Sequence, residues 1–204
     1  MLGKTFIEIG GFPGTMSIYF HKKYNCNVSL LDFYIDKEMV GKMEQTNDIP
    51  KETIECIACD FFDFAPARLY DIVFSYGFIE HFNDTRDIIQ RHVDLLAQNG
   101  HLLIVLPNFL GLNGWIQRLF DRESYVAHNL QSMELIRLRE IMKGFNLNDV
   151  KIEYTGKSMV WLEAKPTIPR IIRLSVKMFS YMLKLFPVRC RLLSPYIVIS
   201  ADKQ

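Results

Sequence analysis

The chain has 204 residues, enough for one domain with a core of its own. Its 24 basic and 23 acidic side chains leave a net charge of +1, which gives no general attraction to nucleic acid. The charge is unevenly placed: residues 164–201 carry seven cations and no acid, so the remainder is acidic.

The chain opens on Phe6-Ile-Glu-Ile-Gly-Gly-Phe-Pro-Gly14. An apolar run, Thr5–Ile9, breaks into a turn containing Gly10, Gly11 and Gly14, and a helical stretch covers about 14–23. Glycines let the backbone approach a ligand, because no Cβ stands in the way. The carboxylate of Glu8 repels a phosphate and attracts a cation. Strands are predicted at Val28–Leu31, ending at Asp32, and at Thr53–Ala58, ending at Cys59-Asp60, with a helix over Asp36–Gln45 between them. A strand at Asp71–Ser75 precedes a helix over Thr85–Gln98, stopped by Asn99-Gly100. His101–Leu106 is the fifth strand, halted by Pro107.

Regularity weakens beyond that point. Phe109–Asp121 has helical spacing, Ser132–Lys143 is a better helix, and Leu147–Tyr154 is a strand. Ile168–Phe186 is a basic, apolar helix with Pro169 in its first turn, and Pro195–Ser200 is the last strand. Alternating strands and helices predict one α/β domain over 1–204, with a mostly parallel sheet covered on both faces. The cysteines (Cys26, Cys56, Cys59, Cys190) offer one C-x-x-C, but on a strand its two members point to opposite faces and no second pair exists to complete a zinc site. They read as buried structural cysteines, suited to a reducing cytoplasm.

Ligands of such sheets bind beyond the carboxyl ends of the strands, so the residues there are read together. Glu8-x-Gly10-x-x-x-Gly14 resembles the first motif of the class I S-adenosylmethionine-dependent methyltransferases. Asp71-Ile-Val-Phe-Ser75-Tyr-Gly77-Phe-Ile-Glu80-His81-Phe82 is similar to a later motif of the same family. The chain departs from the fullest pattern at Phe12, where glycine is frequent, and lacks the helices that usually precede the first motif.

The resemblance implies a Rossmann-like, seven-stranded, mostly parallel sheet whose last strand is antiparallel. It implies S-adenosylmethionine as cofactor, held by Glu8, Gly10, Gly11, Gly14, Asp32, Phe33, Asp60, Phe61, Ser75, Tyr76, Gly77 and Glu80. Asp32 would take the ribose hydroxyls, or else cap the helix near Asp36; Asp60 would accept from the adenine amino group beside Phe61, or else belong to an acidic turn. His81 is a base or a lid, and His128, with Asn129, is the second candidate on the acceptor side.

The acceptor is expected to be a small or sugar-like molecule methylated on oxygen, with N-methylation or a non-catalytic binding role as alternatives. Segments 108–131 and 157–194 are expected to cap the acceptor side. No metal constellation is legible, so no metal dependence is expected. Residues 168–193 are too charged to span a membrane. They would lie on an anionic membrane surface, meet an acidic acceptor, or pack on the core or a homodimer partner. The expected location is cytoplasmic, and peripheral at the inner membrane surface under the membrane reading of 168–193.

Overall fold

Seven strands form one sheet in the order β3-β2-β1-β4-β5-β7-β6 in the computed structural model, which describes residues 3–186 and 188–204. Met1, Leu2 and Pro187 lie outside the described residues. Strands β1 (Thr5–Ile9), β2 (Asn27–Asp32), β3 (Glu55–Ala58), β4 (Tyr70–Tyr76) and β5 (Leu96–Pro107) are parallel. The last strand, β7 (Tyr196–Lys203), inserts between β5 and β6 (Leu147–Thr155), antiparallel to both.

Successive residues of each central strand face opposite sides of the sheet, and both sides are covered. Ile7, Ile9, Leu31, Val73 and Ile104 pack under α3 (Thr85–Asp94) and α6 (Leu135–Met142). Phe6, Leu30 and Phe74 pack under α1 (Thr15–Tyr24) and α2 (Lys37–Thr46). Each fully buried side chain of this size contributes about 1.5–3 kcal/mol of transfer free energy. A third, smaller cluster joins Ile116 of α4 (Leu112–Phe120) to Val160 and to Val176 of α7 (Arg170–Leu183). Among the described residues, no helix is long and apolar enough to cross a membrane.

The sequence expectation fails in three places. Leu95 and Leu96 keep the helical spacing of α3 going, but α3 stops at Asp94 and β5 begins at Leu96. Tyr70 pairs with Leu96 and Ile72 with His101, so the residues between bulge out of the ladder, with Asn99 left-handed. The ammonium of Lys203 donates to the carbonyls of Val93 and Leu96 and closes this helix end from a strand far along the chain. Next, β3 begins two residues late, because the buried carboxylate of Glu44 accepts from the amides of Glu52 and Ile54 and holds that stretch as a turn. Finally, a short helix, α5 (Arg122–Val126), follows α4; Asp121 caps it through the Ser124 amide. The four cysteines are free; Cys26 is buried as expected, but Cys56, Cys59 and Cys190 are half-buried.

Candidate functional site

Strand order reverses direction of growth at β1, which pairs with both β2 and β4. Gly10 follows β1 with φ +65° and Gly14 ends the turn with φ +92°, a region that side chains with a Cβ rarely enter. A Cβ on Gly10 would sit 2.1 Å from the Phe78 ring, and one on Gly11 would sit 2.2 Å from the Glu8 side chain. Glu8 points to the α1 side of the sheet, where its carboxylate accepts from the amide and hydroxyl of Ser17, both at 2.7 Å. Gly14, the N-cap of α1, has no side chain to satisfy the first amides, and Glu8 caps them instead. Burial pushes the Glu8 carboxyl up to about 7 against the lowering effect of the Ser17 bonds. Through one oxygen it shapes the glycine turn. Phe12 packs edge-on against Tyr34, and its amide donates to Asp32 at 3.0 Å.

Beside this turn lies a cleft of about 230 Å³ lined by Gly10, Asp32, Phe33, Asp60, Phe61, Phe62, Phe78 and Phe82. The cap of α2 is Asp36, which accepts from Glu38 and Met39, so Asp32 is not spent on that helix. One oxygen of Asp32 holds Phe12; the other has no protein partner among the described residues. Phe33 is 79% exposed at the rim. Asp60 closes a local turn by accepting from the Phe62 amide, again with one oxygen. Phe61, expected to cover a ligand ring, is buried in an edge-to-face cluster with Phe78 and His92; the neighbouring Phe62 presents the accessible ring.

At the end of β4, Ser75 is fully buried and its hydroxyl meets His92 Nε2 at 3.0 Å. His92 Nδ1 donates to the Ile88 carbonyl, so Nε2 accepts from Ser75. Complete burial pulls His92 down to about 4, which keeps the ring neutral. Only the backbone of Ser75 is left to face a ligand. Gly77 follows with φ +65° and turns the chain into the 3-10 segment Ile79–His81. His92 was missed in the sequence; its place on the apolar face with Ile88 and Ile89 is the signal that marks it as buried.

Across that segment lies a second cavity of about 400 Å³, lined by Tyr76, Glu80, His81, Phe109, Gln117, His128, Trp161 and Tyr196, among others. Its wall is aromatic: Trp161 stacks on Tyr196 with ring centres 5.5 Å apart, and Tyr76 is also 5.5 Å from Tyr196. The position of Trp161 is fixed from α4, where Asn113 accepts from its amide and Gln117 donates to its carbonyl. The rings of His81 and His128 lie 4.8 Å apart. Burial, then the neighbouring His128, hold His81 below its ordinary value. Glu80 is 1% exposed, and burial raises its carboxyl to about 7. Residues 80–81 and 128 are distant in sequence, which is why no metal constellation was legible, yet the fold groups Glu80, His81 and His128. Asn129 does not line this cavity: its side chain donates to the Phe82 and Asn83 carbonyls, and its amide donates to Glu80 O at 2.7 Å. Trp161 and Tyr196 lie far along the chain from both motifs, and no local pattern announced them.

Residues 2–152 match the family model described as a methyltransferase domain. The chain belongs to this family, the class I S-adenosylmethionine-dependent methyltransferases. Its fold is similar to that of Haemonchus contortus phosphoethanolamine N-methyltransferase 2, solved with S-adenosylhomocysteine and phosphomonomethylethanolamine. There the TM-score is 0.66 at 16% identity, over 99% of this chain and 49% of that one. A methyltransferase from Archaeoglobus fulgidus gives 0.61 at 16% identity, over 98% and 86%. The plantazolicin methyltransferase BpumL, solved with S-adenosylhomocysteine, gives 0.62 at 13% identity, over 98% and 76%. The chain spans about half the length of the first of these. No curated protein matches its sequence. The cleft beside Gly10 fits the family's cofactor by its acids: among the described residues, Asp32 and Asp60 each keep an oxygen free for hydroxyl or amino donors.

Proposed function

We propose that this chain transfers the methyl group of S-adenosylmethionine to a hydroxyl oxygen of a small or sugar-like acceptor seated over His81 and His128. The observation that carries this reading is the pair of adjacent imidazoles in an aromatic-walled cavity, one 3-10 turn away from the glycine cleft. When bound, the cofactor supplies an activated methyl group on a cationic sulfonium. The chain's own work is then chiefly positioning. Asp32 receives the ribose hydroxyls, Asp60 the adenine amino group, and Phe33 and Phe62 flank the ring. Backbone groups of Ser75, Tyr76 and Gly77 face the methionine arm. Residues 108–131 and 157–194 act as acceptor-side caps, in keeping with Phe109, Gln117, His128 and Trp161 lining the cavity.

Replacing Asp32 with Ala removes the charged oxygen left open to the ribose and releases the Phe12 amide from the other. S-adenosylhomocysteine is expected to bind roughly 100-fold more weakly, the equivalent of about 3 kcal/mol. Unchanged affinity in a calorimetric titration would remove Asp32 from the site. An amine acceptor is the second reading, favoured by the carboxylates of Glu80 and Glu163 in the same cavity. A substrate screen in which amines turn over and alcohols do not decides for it.

The partner that presents the acceptor is, in the same proposal, an anionic membrane surface. One face of α7 packs on the domain through Ile172, Val176 and Ser180. The opposite face leaves Ile171, Met178 and Met182 each at least 63% exposed, and Leu185, just past the helix end, is exposed as well. Between these faces runs a stripe of cations, Arg170, Arg173, Lys177 and Lys184, none of which has an acidic partner among the described residues. Apolar face down, cations toward anionic headgroups, is how an interfacial helix binds, with about 1 kcal/mol for each cation near the surface. Those cations line a groove of about 520 Å³ that shares Trp161 with the acceptor cavity. The protein is expected to sediment with mixed phosphatidylglycerol and phosphatidylcholine vesicles and not with phosphatidylcholine alone. Met178→Glu with Met182→Glu should abolish the sedimentation. A dimer that buries α7 and ignores vesicles would refute the membrane contact.

A further inference from the structure

Three side chains at the floor of the acceptor cavity share a feature that packing does not explain. The ligand atoms offered by Glu80, His81 and His128 all lie within 4.8 Å of one another. Glu80 is fully buried, and its Oε2 has no hydrogen-bond partner among the described residues. A buried carboxylate oxygen left without a partner is costly, and native structures rarely keep one unless a water or an ion completes it. The tautomer of His128 is fixed by its other nitrogen. Nδ1 meets the carbonyl of Ser124, which can only accept, so Nδ1 carries the proton and Nε2 keeps its lone pair. A backbone carbonyl holding the far nitrogen is the usual arrangement around a metal-ligating histidine.

The scaffold keeps these groups together. Glu80 and His81 sit on one 3-10 turn, and the Asn129 amide ties the His128 segment to the Glu80 carbonyl. Lys165 bonds Asp121 and Ser124, which anchors α5 just before His128. Ligand atoms around an ion with bonds of about 2.1 Å are ~3.4 Å apart at tetrahedral angles, so small rotations of the two rings close the set.

We propose that Glu80, His81 and His128 form a binding site for a divalent first-row cation, with its remaining positions open to the acceptor cavity. Two imidazole nitrogens and one carboxylate oxygen suit Mn²⁺, Co²⁺ or Zn²⁺ better than Ca²⁺ or Mg²⁺, which favour all-oxygen shells. Such an ion would hold a hydroxylated acceptor by its oxygen at the floor of the cavity. This deepens the preceding reading, and it rests on that cavity being the acceptor site.

The test uses the full chain stripped with chelator and titrated with Co²⁺, followed by visible absorption and by calorimetry. One equivalent is expected to bind, with d–d bands and no thiolate charge-transfer band. Glu80→Gln and His128→Gln should each weaken Co²⁺ at least 10-fold while the thermal midpoint holds. S-adenosylhomocysteine titrated into the metal-free chain separates the two readings. Its binding without any Co²⁺ site overturns the metal proposal alone; its failure to bind counts against the cofactor cleft instead. Full Co²⁺ affinity in both variants, or a thiolate band showing the ion on cysteine, also overturns the site.

Discussion

His81→Ala is expected to lower kcat by roughly 10²–10⁴-fold while S-adenosylhomocysteine binds with unchanged affinity. The reason is location. The cofactor cleft is lined by Gly10, Asp32, Asp60 and Phe62, and His81 is not among its walls. It lines the second cavity, with its ring against His128. In the proposed function a group there meets the acceptor and not the adenosine, so its loss should separate turnover from cofactor binding. Whether His81 receives the acceptor's proton or holds an ion, truncation removes the group from the reacting oxygen. His128→Ala should behave alike, and the double variant should lose little more than either single one, because the two rings act as a unit. Normal turnover in both single variants would remove the pair from the chemistry.

The second large effect is structural. Gly10→Ala places a methyl group 2.1 Å from the ring of Phe78 at a residue with φ +65°. The left-handed backbone costs about 1–2 kcal/mol for a residue with a Cβ. Overpacking adds about 1–3 kcal/mol, because Phe78 is wedged against Phe61, Phe82 and His92 and cannot step aside freely. A total of about 2–5 kcal/mol lowers the thermal midpoint by roughly 4–20 °C in a domain of this size. Phe78 also lines the cofactor cleft, so S-adenosylhomocysteine should bind poorly even below the transition. Gly41, inside α2, where an added Cβ meets nothing within 4 Å, is the control: Gly41→Ala should leave S-adenosylhomocysteine binding in place and raise the midpoint slightly, since Ala favours a helix interior over Gly by about 0.5–1 kcal/mol. A Gly10→Ala midpoint equal to that of the parent would contradict the packing described around the turn.

What the sequence carried well was whatever is written locally. The strand–glycine–helix unit at 5–24, the acids ending β1 and β2, and the apolar run of β4 are each short contiguous signals, and they place the glycine turn and its acids correctly. The antiparallel last strand followed from the resemblance to the methyltransferase family and not from any local signal, and the sheet has it. The misreadings share a cause: distant residues override local pattern. Lys203 ends α3 and Glu44 shortens β3, and neither can be seen from the segments they control. Glu8 reads as a ligand for a cation, and the fold adds a second contact that the sequence did not show: one of its oxygens caps α1. The second cavity was the least legible part, since its walls come from β4, α4, β7 and the stretch around Trp161. The same separation hid the grouping of Glu80 with His128.

The most direct test of the account is a calorimetric titration of the purified chain with S-adenosylhomocysteine, the demethylated product. Stoichiometric binding at micromolar affinity or tighter is the predicted result. Absence of binding by the folded chain would contradict the assignment of the cleft beside Gly10 and Asp32.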